Sequence, residues 1–379
     1  MSVLGSRWEP MVDGDFVTGL KDFVATRIAP FAQQIDHDDV YPTECIRALA
    51  RSGYSAIFMP RESGGGGKNH RHALAVFEEV AYASAAVGIS LITVFQAQTI
   101  LRLFGNDRLK ALYLPKLASG LIASYALTEA NHGSDIRTLD TKAVVQDGEW
   151  VLNGEKSFIT SGSAAEFFII LAQTPLGVSA FAVPRDTPGV STYEGSNSAT
   201  FGLRNGPHIN LVLNDVRLPL DHLIGEEARG VRAAVTTLDY SRTMAAGISL
   251  GIGRAAFDNA LERARNRIVF DETVFDKQGI QWYFAEMLTR LDAARLLSYR
   301  AADALDQGVD LSRYPSEAKL LAAECATDVA SKCIQICGAY GVMESAPYGR
   351  FLRDAKAYEI AGGSSETLKN TIAKAIRKI

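Results

Sequence analysis

In the second half of the chain, apolar residues recur at spacings of three and four along residues 231–267, 278–307, 316–337 and 348–378. That period puts them on one helix face, so the pattern predicts four long helices joined by short connections, as in an antiparallel bundle. Proline agrees: ten of the twelve prolines lie at or before Pro219, and only Pro315 and Pro347 follow, leaving little to break a helix interior there. Between about residues 122 and 223 the pattern changes. Val144-Val145-Gln146-Asp147-Gly148-Glu149-Trp150-Val151-Leu152-Asn153-Gly154 sets an Asp-Gly and an Asn-Gly dipeptide around a short strand, which predicts two hairpin turns. Aliphatic and aromatic runs at 167–173, 179–184 and 209–213 add further strands. Upstream, 15–35, 43–52, 72–104 and 109–117 read as helices, with a break near Gly88. The predicted fold class is α+β and multidomain: an N-terminal helical domain over 1–121, a central β-barrel over 122–230 and a C-terminal four-helix bundle over 231–379.

A chain of 379 residues exceeds the size at which one core usually keeps growing, which supports that division. Composition narrows function by exclusion. The 39 basic and 43 acidic residues are interspersed and leave a net charge of −4, so no footprint for nucleic acid or anionic lipid stands out. No apolar run reads as a membrane span and the N-terminus lacks a signal-peptide pattern. The expectation is a cytoplasmic protein with neither nucleic acid nor membrane as partner. Four cysteines make no disulfide framework, and Cys333 and Cys337, one helical turn apart, have no histidine nearby, so no metal is expected. Gly64-Gly65-Gly66-Gly67-Lys68 is followed by Asn69 rather than the Ser or Thr of a phosphate loop, and reads as a turn between helices.

The chemistry begins at Tyr125-Ala126-Leu127-Thr128-Glu129-Ala130-Asn131-His132-Gly133-Ser134-Asp135. Hydroxyls, small side chains and glycine in such a segment bring backbone N–H groups close to an anion or a polar ring edge. Asn153-Gly154-Glu155-Lys156-Ser157-Phe158-Ile159-Thr160-Ser161-Gly162 follows. Then come Leu238-Asp239-Tyr240-Ser241-Arg242, Arg267-Ile268-Val269-Phe270, Gln335-Ile336-Cys337-Gly338-Ala339 and Arg353-Asp354-Ala355-Lys356-Ala357-Tyr358-Glu359-Ile360. With these segments in this order, the whole chain resembles the acyl-CoA dehydrogenases.

The resemblance implies FAD as cofactor, bound at a subunit interface of a homotetramer or homodimer. It implies an acyl-CoA or acyl-carrier-protein thioester as substrate, and an electron-transfer flavoprotein or oxygen as electron acceptor. Tyr125, Leu127, Thr128, Gly133, Ser134, Phe158 and Thr160 resemble the residues that hold the flavin ring and ribityl chain, Phe158 covering one ring face. Arg267 and Phe270 resemble the pair that reaches a neighbouring subunit's FAD, and Gln335, Ser364 and Glu366 complete the adenine-side contacts. Ser134, Asp239 and Arg242 resemble substrate-binding positions, and Phe95, Gln96 and Gln98 fall near the acyl pocket. Departures from the family pattern are Val269, Asp271, which stands where a glycine usually follows the phenylalanine, and Ala339 in place of glycine.

The largest departure concerns the two catalytic positions. Most relatives place a glutamate just before the final helix, and that position here is Gly362. Others place it immediately before the arginine of Leu-Asp-x-x-Arg, and that position here is Ser241. General-base catalysis is worth about two to four powers of ten, so the expectation is α,β-dehydrogenation with a non-standard base, for which Glu129, Asp239, Tyr240 and Glu366 are candidates. Gly362 keeps its backbone N–H, which in the family polarises the thioester carbonyl together with a ribityl hydroxyl. Two alternatives follow from resemblance. Ile360-Ala361-Gly362-Gly363 resembles sulfinopropionyl-CoA desulfinases, which cleave a carbon–sulfur bond and also lack the glutamate. A flavin-dependent monooxygenase of the same fold needs no carboxylate, but the intact Thr-Glu-x-x-x-Gly-Ser-Asp pattern speaks against it.

Overall fold

A computed structural model describes residues 8, 10–195 and 198–377. Six helices come first: α1 (Gly14–Arg27), α2 (Ala32–Asp38), α3 (Thr43–Arg51), α4 (His70–Ala83), α5 (Ala85–Phe104) and α6 (Asp107–Ala118). Eight strands follow: β1 (Ala123–Ala126), β2 (Lys142–Gln146), β3 (Glu149–Ile159), β4 (Phe167–Gln173), β5 (Val178–Pro184), β6 (Val190–Glu194), β7 (Ile209–Pro219) and β8 (Leu223–Ile224). The rest is α7 (Gly230–Asn266), a small hairpin of β9 (Ile268–Val269) and β10 (Glu272–Thr273), α8 (Gln278–Gln307), α9 (Arg313–Cys337), α10 (Tyr348–Ile360) and α11 (Ser365–Ile376).

Where boundaries differ from the pattern, local chemistry gives the reason. The stretch 15–35 is two helices because Pro30 follows α1 and supports only a short 3-10 turn. The break expected near Gly88 lies at Ser84, whose backbone is extended and whose hydroxyl accepts the Val87 N–H at 3.4 Å; Gly88 continues inside α5. Pro315 sits in the first turn of α9, where a missing N–H costs nothing, so α9 starts upstream of residue 316. The last stretch, 348–378, is two helices rather than one. Gly362 (φ +73°) and Gly363 (φ +111°) leave helical geometry, and Ser364 caps α11 by accepting the Thr367 N–H.

The Asp147-Gly148 turn is as expected, both residues having positive φ between β2 and β3. Asn153-Gly154 is not a turn. β3 runs straight through it with a bulge, its pairing with β7 shifting register between Leu152 and Gly154. A Cβ on Gly154 would lie 2.5 Å from the Thr141 Cα, so glycine serves here for close backbone approach.

The strands form one sheet in the order β6-β7-β3-β2-β4-β5-β8, with β1 parallel to β4. β4 is apolar from Phe167 to Ala172 because both its faces are covered. Phe167, Ile169 and Leu171 join the helical core, while Phe168, Ile170 and Ala172 join a second core enclosed by the strands, the alternation a strand imposes. α5 is long and apolar enough to cross a membrane, contrary to the expectation that no run qualifies, but 78% of its apolar window is buried inside the protein. It is a central core helix. α4 packs closely on α7, where a Cβ on Gly251 would lie 2.4 Å from the Glu78 carbonyl. Across that contact Arg254 of α7 meets Glu78 at 2.6 Å and Glu79 at 2.8 Å, and Arg295 of α8 meets Glu78 at 2.8 Å.

Candidate functional site

Two segments far apart in sequence are fastened by a buried ion pair. Lys156 of β3, fully buried, reaches Glu129 at 2.7 Å and the Leu127 carbonyl at 3.3 Å. Glu129 also accepts the Asp140 and Thr141 N–H groups at 2.6 and 3.0 Å. Burial alone would raise the Glu129 carboxyl, but Lys156 and these donors outweigh it and hold it below the usual range. Burial pulls Lys156 down to about 8 against the pull of Glu129. The Ser157 N–H donates to the Thr128 carbonyl at 2.9 Å, so the loop after β1 lies against β3.

Above this clamp β3 bulges. Phe158 has φ +57° and is 59% exposed, a left-handed, outward aromatic within the strand. Such a conformation costs a non-glycine residue about 1–2 kcal/mol, and here the ring is presented to the exterior. Thr160 lies 3.4 Å from the His208 ring. Ser161, buried, meets Thr93 at 3.2 Å and Asn205 at 3.4 Å. Tyr125, Leu127 and Thr128 are half-buried beside the bulge's strand, and Gly133 and Ser134 are exposed. A Cβ on Gly133 would meet nothing within 4 Å.

α5 links this region to the second cluster. Thr93 touches Ser161, and Gln96, three residues on and about 4.5 Å further along the axis, donates to the Ser241 hydroxyl at 3.3 Å. Ser241 donates in turn to the Leu238 carbonyl, so its oxygen is engaged on both sides. Phe95 faces elsewhere, packed against Phe58 and Phe77 in the helical core, and Gln98 is buried with no partner for its amide among the described residues.

Next to Ser241, the buried Arg242 donates to Asp239 at 2.6 Å and, through Nε, to the Gly362 carbonyl at 3.2 Å. Asp239 also accepts the Ser312 hydroxyl at 2.8 Å; burial raises its carboxyl, with Arg242 opposing. Lys319 of α9, fully buried, donates to the Gly363 carbonyl at 2.7 Å. The Gly362 N–H donates to no group among the described residues, and a Cβ there would meet nothing within 4 Å. Arg242 thus ties the Gly362 loop to the turn of α7 that carries Ser241. Of the candidate bases, Glu129 and Asp239 are paired with Lys156 and Arg242, Glu366 is exposed in the first turn of α11, and the Tyr240 ring packs 5.3 Å from His70.

The remaining candidate residues lie on the exterior. Arg267 is exposed at the end of α7, and Phe270 and Asp271 form a two-residue turn between β9 and β10, both with positive φ. Asp tolerates that conformation, so the glycine of the family pattern is not needed here. Phe270 is 88% exposed. Gln335 is exposed on α9, and Ser364 is the N-cap of α11.

The sequence matches "Acyl-CoA dehydrogenase, N-terminal domain" over residues 14–121, the corresponding middle domain over 124–216 and the C-terminal domain over 228–377. It is 36% identical over 363 residues to an acyl-CoA dehydrogenase of Bacillus subtilis strain 168, covering 94% of this chain and 95% of that protein. The chain belongs to the acyl-CoA dehydrogenase family. Its fold superposes on butyryl-CoA dehydrogenase from Megasphaera elsdenii with a TM-score of 0.93 and 31% identity, over 98% of this chain and all of the other. A glutaryl-CoA dehydrogenase from Mycobacterium smegmatis in complex with FADH2 gives a TM-score of 0.91 and 25% identity, covering 97% and 96% of the two chains.

Members of this family are FAD-dependent flavoenzymes, and the chain has features that suit the cofactor. Phe158 offers an exposed aromatic face, and the open backbone at Gly133 gives an anion or ring edge close access. Lys156 stands inside the 153–162 segment with no expected task, and Lys319 lies in none of the family-like segments. The available signal was a lysine inside an apolar helical run, Ala318-Lys319-Leu320-Leu321-Ala322, where a charge is costly unless it is partnered.

Proposed function

We propose that this protein is an FAD-dependent enzyme acting on an acyl thioester, whose carbonyl oxygen is received by the Gly362 N–H. The observation that carries this is the Gly362 N–H, which no described residue accepts, on a loop whose own carbonyl is held by the buried Arg242. A fixed backbone donor aimed at a carbonyl is worth about 3–4 kcal/mol to a reaction that builds negative charge on that oxygen, and it acidifies the neighbouring carbon. Tyr125, Leu127, Thr128, Gly133, Ser134, Phe158 and Thr160 would hold the flavin. Asp239, Arg242 and Ser134 would line the thioester's path. Bound FAD supplies a hydride acceptor for the carbon β to the carbonyl. Arg242 orients the Gly362 loop, and the Glu129–Lys156 clamp keeps the flavin-side segments together.

The α,β-dehydrogenation reading requires a proton acceptor that this chain does not provide at Ser241 or Gly362. Among the described residues, the two buried carboxylates of the region, Glu129 and Asp239, are both paired, which supports a second reading, an elimination or carbon–heteroatom cleavage on the same thioester without net oxidation. Anaerobic mixing of FAD-loaded protein with straight, branched and dicarboxylic saturated acyl-CoA thioesters separates them. Loss of oxidised-flavin absorbance is expected with at least one saturated thioester. Product formation without bleaching would move the assignment to the second reading, and silence towards every thioester would defeat both.

We further propose that Phe270 and Arg267 meet the FAD of a neighbouring subunit in a homodimer or homotetramer, with an electron-transfer flavoprotein or oxygen as acceptor. An 88%-exposed phenylalanine on the two-residue turn between β9 and β10, next to the exposed Arg267, supports the subunit contact. Phe270→Ala should change the unfolding free energy of the protomer by less than about 0.5 kcal/mol while lowering FAD retention and the oligomeric mass seen by light scattering. Unchanged FAD content and mass would sink the assignment.

A further inference from the structure

Lys319 is the charged group beside the proposed thioester site that still lacks a task. Its side chain is fully buried, and its ammonium makes its short contact not with a carboxylate but with a backbone oxygen, the Gly363 carbonyl at 2.7 Å. One peptide earlier, the Arg242 guanidinium holds the Gly362 carbonyl at 3.2 Å. Two successive carbonyls of a Gly-Gly segment are therefore each gripped by a buried cation. Both glycines have positive φ, and glycine is the residue with most backbone freedom to lose. Left alone, this segment would sample many orientations of its N–H groups.

We infer that Lys319 is a positioning residue of the thioester site: with Arg242 it fixes the Gly362–Gly363 peptides so that the Gly362 N–H stays oriented toward the substrate carbonyl. The inference rests on the reading that Gly362 receives that carbonyl. A hydrogen bond from a charged donor is stronger than one between neutral groups, enough to select one orientation of a two-glycine segment from several. The two cations do a second thing. In relatives with a glutamate at this position, a carboxylate would share their field, whereas Gly362 brings no side-chain charge. Negative charge developing on the carbonyl oxygen then meets a field set by Lys319, and by Arg242 as far as its partner Asp239 leaves it.

The arrangement also predicts a pH dependence. Burial first, and repulsion from Arg242 of α7 second, lower the Lys319 ammonium to about 7. Glu359 of α10, Glu366 of α11 and Glu324 of α9 itself oppose this. Lys319 is therefore charged below that value and neutral above it, so its hold on the Gly363 carbonyl weakens as pH rises through neutrality.

The test is calorimetric titration of the FAD-loaded protein with an acyl-CoA thioester and with the matching thioether, which lacks the carbonyl, from about pH 6 to about pH 8.5. The unaltered protein should prefer the thioester about tenfold at the acid end, the size of one well-placed backbone hydrogen bond, and the preference should shrink as pH rises. Lys319→Met should lose most of the preference at every pH while binding the thioether as before; Lys319→Gln, which keeps a neutral donor, should retain part of it without the pH dependence. Lys319→Met keeping the full preference at every pH would overturn the role of Lys319. No thioester preference in the unaltered protein at any pH would instead overturn the reading of Gly362. Lys319→Gln is the milder change and keeps the inference testable if Lys319→Met fails to fold: its full loss or partial retention of the preference supports the role, and its keeping the whole preference with the same pH profile as the unaltered protein would overturn it.

Discussion

Lys156→Met is expected to lower the unfolding free energy by about 3–5 kcal/mol, because it leaves Glu129 ionised and buried with no counter-charge. Glu129 is 3% exposed and its other partners are two backbone amides. Loss of the ammonium also frees the loop after β1 from β3, so FAD content should fall together with the melting temperature. Glu129→Gln in the same chain should restore part of the stability, since it removes the unpaired charge while keeping an acceptor for the amides. A melting temperature and FAD content unchanged by Lys156→Met would show that the clamp holds nothing together. Acid should act on the same pair. The Glu129 carboxyl is held below its ordinary range, so its contribution is present above the unfolded-state value and is lost as pH falls through the lower, folded-state value.

Gly362→Glu is expected to give the largest gain of activity, roughly a hundredfold or more in flavin reduction by a saturated acyl-CoA, the range a placed general base supplies. A Cβ at this position meets no atom within 4 Å, so the side chain has room. The cost is the left-handed φ of +73°, about 1–2 kcal/mol for a residue with a side chain, which the loop's fastening by Arg242 makes tolerable. Ser241→Glu should gain less. Ser241 is 2% exposed and already hydrogen-bonded to Gln96 and the Leu238 carbonyl, so a longer acid there must displace an amide and enter a filled site. Rapid-mixing measurement of flavin reduction in folded, FAD-loaded variants ranks the two. If neither exceeds the unaltered protein, these are not the positions from which a base reaches the substrate.

Much of this protein is legible from its residues in order. Period and proline located the long helices, and α8 runs over Gln278–Gln307 just as its spacing indicates. The Asp147-Gly148 turn followed from the preference of a two-residue hairpin for residues that accept positive φ. Local rules failed where tertiary contact outvoted them. Asn153-Gly154 has the composition of a turn, but β7 pairs along both sides of it and turns it into a bulge. Ser84, not Gly88, breaks the helix, because a serine side chain can cap the next helix whereas a glycine within a packed helix merely allows close approach.

The candidate site divides in the same way. The sequence by itself determined the family-like segments, and it determined that neither Ser241 nor Gly362 carries a carboxylate, because those statements depend only on which residue stands where. Only the tertiary structure decided that Glu129 is bound to Lys156 and that Arg242 and Lys319 close on two adjacent carbonyls, whereas Asp239 and Arg242, three residues apart on α7, form the internal ion pair that their spacing allows. The physical reason is separation along the chain: 27 residues divide Lys156 from Glu129 and 120 divide Arg242 from Gly362. Periodicity sees neighbours within a few turns, whereas the partner of a buried charge is chosen by the packing of whole helices and strands, where an unpaired charge costs several kcal/mol.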